Sequence, residues 1–166
     1  MILTLFDRNE KMCEAWEREF QKIENVKILH TDLENLPGHE YLVTAGNSYA
    51  IMDGGIDLAV RNKFGIELQD RVQYEAARRF KGCIPVGSYV CVDMWKTDFY
   101  YLIYAPTMEL PMAIPQSNIY AAMSAIIRDF KNAKSIACCG LGTLSGRVPL
   151  DVAARVMKEA YLDNIL

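Results

Sequence analysis

Short apolar runs recur along the chain, separated by amphipathic or polar stretches. MILTLF at 1–6 reads as a strand. From Asp7 to Lys22, Met12, Ala15, Trp16 and Phe20 fall near one helical face while Glu and Arg take the other. VKILH at 26–30 is a second strand. After Pro37-Gly38, YLVTAG at 41–46 has the continuous apolar character of a buried third. A loop over 47–55 precedes a helix from Ile56, Gly65 interrupts it, and a longer helix follows over 66–80. Beyond Pro85-Val86-Gly87, SYVCVDM at 88–94 and FYYLIYA at 99–105 read as two strands, with MWKTD forming much of the turn. PTMELPMAIP contains three prolines and cannot be regular helix. Helix resumes from Gln116 to Phe130, SIACC at 135–139 is a short strand, and Pro149 suits the first position of a helix reaching Tyr161. Strands alternating with helices predict an α/β fold, a mostly central sheet with helices on both faces.

A length of 166 residues fits one domain spanning 1–166 with a sizeable core, and no repeat or low-complexity tract divides it. Apolar residues make up 51% and charged ones 23%, a globular composition. The formal charge is −3 and there is no long basic run, which speaks against unmodified nucleic acid as a partner. Five cysteines without a CxxC pair, and no secretory leader, point to a reducing, cytoplasmic setting. The two histidines, His30 and His39, share no tight pattern with carboxylates or thiols, so neither a metal nor another cofactor is expected. No apolar run reaches membrane-spanning length.

Two loops concentrate the chemistry. TAGNSYAIMDGGIDLAV follows the third strand, and GLGTLSGRVP at 140–149 follows the last; both are expected at the carboxyl ends of strands, where open α/β sheets hold ligands. Gly54-Gly55 serves either a tight turn or a close approach of backbone to a diphosphate. Gly140, Gly142 and Gly146 carry the same two readings, in a spacing that is neither the dinucleotide fingerprint nor a Walker loop. Exposed N–H groups beside helix starts suit a phosphorylated ligand. Asn47 closes a local turn or bonds ribose hydroxyls. Asp57 favours a helix start, or it orients a water or binds a sugar hydroxyl. Asp32 caps a turn or accepts from a base amine; Tyr49 packs its loop or lines the sugar region; Arg147 is solvated or covers the phosphates. Asp53 beside such a site is unfavourable unless it points away or is paired. Cys138 and Cys139 end an apolar strand with no histidine nearby in sequence, which favours packing over nucleophilic work.

From the strand before Asp32 to the final helix, the sequence resembles the macrodomain family. Asp32 stands in the adenine-recognising place. Thr44-Ala45-Gly46-Asn47 takes the place of the family's Asn-Ala-Ala-Asn segment and keeps its last asparagine, while Asp53 replaces a glycine of the usual longer run. Gly54-Gly55-Ile56-Asp57-Leu58-Ala59-Val60 matches the phosphate loop and adjoining helix. The resemblance implies a three-layer α/β/α fold with a central mixed, mostly parallel sheet, and ADP-ribose or a mono-ADP-ribosylated substrate as partner. It implies ligand contacts at Asp32, Leu33, Ala45, Asn47, Tyr49, Gly54, Gly55 and Ile56 on the first half, and at Gly142, Thr143, Leu144, Ser145, Gly146 and Arg147 from the late loop. By the same analogy, Asn47 positions the distal ribose and Asp57 aligns a water at its anomeric carbon, releasing ADP-ribose from an ester, phosphate or nucleic-acid adduct. The alternative is a non-catalytic ADP-ribose reader. The loop after Ala105 is expected to shape substrate access.

Overall fold

The computed structural model describes residues 1–166. The elements in chain order are β1 (Ile2–Asp7), α1 (Glu10–Phe20), β2 (Val26–His30), β3 (Tyr41–Thr44), α2 (Gly55–Phe64) and α3 (Ile66–Phe80). They continue with β4 (Val90–Asp93), β5 (Tyr101–Tyr104), α4 (Gln116–Phe130), β6 (Ser135–Cys138) and α5 (Leu150–Asn164). The six strands form one sheet in the order β2-β1-β6-β3-β5-β4, parallel throughout except for β4, which pairs antiparallel with β5 at the edge.

Alternating side chains along the strands feed two apolar layers. Leu3, Leu5, Val43 and Ile103 pack with Trp16, Ile126 and Met157 on one face. Phe6, Leu42, Leu102 and Tyr104 pack with Val60, Leu68 and Val72 on the other. Helices α1, α4 and α5 thus cover one side, and α2 with α3 the other. No helix is long and apolar enough to cross a membrane.

The expected elements are present, with shifted boundaries. The first strand runs on to Asp7, and α1 starts only at Glu10 because Asn9 stops the chain in an extended conformation and accepts from the Lys11 N–H. Gly65, at φ +99°, separates α2 from α3. Pro149 is the cap before α5 rather than its first residue, and that helix runs to Asn164. Because five strands are parallel, the loops after Asp7, His30, Thr44, Tyr104 and Cys138 gather at one edge of the sheet. Everything described next lies there.

Candidate functional site

Two cavities meet at this edge. The larger, about 360 Å³, runs from Phe6, Asp7, Arg8 and Asn9 past Asp32 and Leu33 to Ile56, Cys139 and Leu144. The smaller, about 100 Å³, is walled by Ala45–Asn47, Ile51, Asp53–Asp57, Thr107, Met108 and Pro111 with the 140–146 loop. Gly55, Ile56, Gly140, Thr143 and Leu144 border both, so the two form one bent cleft.

The junction is built from main chain. α2 starts at Gly55 with no side-chain cap, and its preceding residue Gly54 is extended. Gly55 has φ +55°, a conformation that a side chain would strain, and here it opens the helix toward the cleft. The first N–H groups of a helix have no intrahelical acceptor. Across the cleft, Gly142 accepts from the Val148 N–H and Leu144 from the Arg147 N–H, closing the loop on itself. The N–H groups of Thr143, Leu144, Ser145 and Gly146 donate to no backbone acceptor. Two sets of free donors therefore flank one space, an arrangement suited to an anion.

Asp32 stands at the far end of the larger cavity. Its Oδ1 accepts from the backbone N–H and Nδ2 of Asn35 at 3.0 and 2.9 Å, which fixes the turn. Lys63 of α2 donates to the carbonyls of Leu33 and Glu34, tying this turn to the same helix that starts at the junction.

Asn47 lies in the smaller cavity, 6% exposed. Its Oδ1 accepts from the N–H groups of Tyr49 and Ile51 at 3.1 and 3.3 Å, and its Nδ2 donates to Ile51 O at 2.9 Å. The amide is thus the organiser of its own loop and keeps one N–H hydrogen for other use. Asp57 is 3% exposed and forms part of the floor. Thr44 Oγ1 donates to its Oδ1 at 2.5 Å, and the Tyr104 hydroxyl stands 3.4 Å from its Oδ2. Burial pushes the Asp57 carboxyl up to about 7, the neighbouring hydroxyls hold it down, and the charge of Asp53 adds to the rise. Asp53 itself is exposed in the cavity wall and makes no ion pair.

The cleft brings together Asp32, Leu33, Ala45, Asn47, Gly54, Gly55, Ile56, Asp57, Gly142, Thr143, Leu144, Ser145 and Gly146. Tyr49 and Arg147 stand outside its lining: Tyr49 reaches Glu109 instead, and Arg147 is exposed at φ +56°. Thr107, Met108 and Pro111 put the loop after Ala105 in the wall. The sequence reading omitted Phe6, Asp7, Arg8, Asn9 and Met12, which line the larger cavity. They include the polar DRN step between the first strand and first helix, which carries no distinguishing signal of its own. Cys138 and Cys139 are buried, with burial pushing the Cys138 thiol up to about 12 and the Cys139 thiol well above its ordinary value. Both are neutral thiols, inert as nucleophiles. No group of three or more His, Cys, Asp or Glu side chains is arranged to hold a metal ion.

The family model described as Macro domain matches residues 43–157. An uncharacterized protein of Aquifex aeolicus (strain VF5) is 37% identical over 124 residues, 72% of this chain and 71% of that one. Another, from Aeropyrum pernix, is 33% identical over 126 residues, 74% of this chain and 62% of its own. Among solved structures, the macrodomain of Mycobacterium tuberculosis DarG superposes with TM-score 0.68 at 24% identity, covering 80% of this chain and 87% of that one. The Oceanobacillus iheyensis macrodomain with ADP superposes with TM-score 0.59 at 13% identity, covering 76% and 82%.

Proposed function

The chain belongs to the macrodomain family, and on that premise we propose that its strand-end cleft binds ADP-ribose. The observation that carries this reading is the junction, where α2 residues and the 143–146 loop, with backbone N–H groups that have no backbone acceptor, border one space between a larger and a smaller cavity. A diphosphate belongs at the junction, the adenosine in the larger cavity near Asp32, and the distal ribose in the smaller one beside Asn47. Asp32 Oδ2 is left to accept from an exocyclic base amine, since Asn35 occupies only Oδ1.

The finer reading is hydrolysis of a mono-ADP-ribosyl linkage. Water attacks the anomeric carbon of the distal ribose, the new carbon–oxygen bond replaces the bond to the acceptor, and the acceptor leaves with the water's second proton. Asn47 and Asp57 supply orientation at that carbon. A second reading, a non-catalytic reader, draws support from the same two residues: the Asn47 amide is largely spent on its own loop, and the nearly buried Asp57 carboxyl is engaged by Thr44 and Tyr104.

Calorimetry with ADP-ribose, using AMP, ATP and NAD as controls, tests the binding. Incubation with a mono-ADP-ribosylated ester then separates the two readings. Selective binding with release of ADP-ribose supports the hydrolase, and selective binding without release on any linkage supports the reader. If ADP-ribose binds no better than AMP, the assignment of the smaller cavity to the distal ribose is wrong.

A further inference from the structure

Beneath the smaller cavity lies a cluster that ligand binding itself leaves unused: Thr44, Asp57 and Tyr104, all buried. Tyr104 has one hydroxyl hydrogen, and its nearer acceptor is the Asn47 carbonyl at 2.8 Å. Asp57 Oδ2, at 3.4 Å, is the longer of two acceptors for that one hydrogen, so the buried carboxyl gets only a weak share of it. Thr44 already donates to the other oxygen. Gly46 completes the seat, because a β-carbon there would lie 1.7 Å from Asp57 Oδ2. Thr44 and Gly46 are the two departures from the family's Asn-Ala-Ala-Asn segment, and both touch Asp57: one donates to it and the other leaves room for it.

The groups facing Asp57 offer it no cation. Asp53 approaches from the preceding loop, Tyr104 from β5 and Cys139 from the loop after β6; no Lys, Arg or His pairs with it. At the same time Asp57 belongs to the first turn of α2, directly behind the N–H groups that face the junction.

We propose that Thr44 and Tyr104 are positioning residues that make the Asp57 carboxyl a proton-dependent gate on the anion seat. As a neutral acid it leaves the start of α2 to the ligand's diphosphate; as a carboxylate it opposes that dianion. Ionisation also invites the Tyr104 hydrogen away from the Asn47 carbonyl and toward Oδ2, so the state of the floor reaches the Asn47 loop. The inference rests on the ADP-ribose reading of the cleft. The diphosphate keeps both its charges across the neutral range, so any pH dependence there belongs to the protein.

The experiment is calorimetry of ADP-ribose binding in buffers of differing ionisation enthalpy. The expected result is proton uptake of about 0.6 per ligand near pH 7.5, and affinity about tenfold weaker near pH 8.5 than near pH 6. Asp57→Asn abolishes both effects. Thr44→Val removes a hydrogen bond that favours the carboxylate, so the midpoint moves to higher pH, and Thr44→Ser returns it. A merely structural Thr44 would change affinity equally at every pH. The carbon-13 signal of the Asp57 carboxyl in ligand-free wild-type protein reads the same midpoint without depending on a variant's folding. Binding with a flat pH profile and no proton uptake overturns the gate and leaves the binding reading intact. No ADP-ribose binding at either pH overturns that reading, and the gate with it. An Asp57 carboxyl that titrates in the ordinary carboxylate range overturns the gate whatever the ligand does.

Discussion

Asp57→Asn should stabilise the protein at alkaline pH and do little at acidic pH. The side chain is 3% exposed, and its carboxyl is raised from 3.8 to about 7, chiefly by burial. That difference corresponds to about 4 kcal/mol of native-state preference for the neutral acid. Below about pH 4 the acid is protonated in both native and unfolded chains, and its contribution is fully present. As pH rises the unfolded chain releases its proton first, so stability falls by up to about 1.4 kcal/mol per pH unit until the native group also ionises near 7. Asparagine can still accept from Thr44, and it never carries the buried charge. Urea denaturation of both proteins near pH 4.5 and near pH 8 should show the variant gaining about 2–4 kcal/mol relative to wild type between the two conditions. A difference that stays constant across that range, or a variant less stable at pH 8, would mean that Asp57 is ionised and compensated in the native protein, and the account of the floor would be wrong.

Gly46→Ala should cost about 2–4 kcal/mol, since the new methyl would lie 1.7 Å from Asp57 Oδ2 and 2.7 Å from the Tyr104 hydroxyl. Combining it with Asp57→Ala should recover part of that loss in thermal or urea melts, and strictly additive effects would show that the two positions do not share this space. Cys138 and Cys139 should resist iodoacetamide in the native protein and react only on unfolding, as mass mapping of labelled peptides can establish. Labelling of either without loss of structure would contradict their burial.

The apolar runs made the strands legible, and the 3.6-residue pattern made α3 and α4 legible to their ends, because burial on one face leaves a local signature. The two glycine-rich loops were legible for a different reason: both follow apolar strands and precede helices, which places them at one sheet edge once the strands are parallel. What local pattern does not encode is strand order. β1 lies between β2 and β6, so its trailing Asp7, Arg8 and Asn9 join the cleft although nothing in DRN distinguishes them from any strand-to-helix step. Side-chain direction was equally hidden. Asn47 and Asp57 are ten residues apart in sequence, yet whether they face a ligand or the protein depends on Thr44 and Tyr104, which arrive from neighbouring strands. Tyr49 and Arg147 were read from their loops and from the resemblance, and neither stands in the lining of the two cavities.

The junction of the cleft has a consequence for how such a protein can diverge. The donors proposed there are peptide groups at the start of α2 and of Thr143–Gly146. Among single replacements only proline removes a peptide N–H; any other must bend the two turns to take the donor away. A site built this way depends on backbone shape more than on the side chains of Thr143, Leu144 and Ser145. A chain sharing 13% of its residues with another can still hold the same fold.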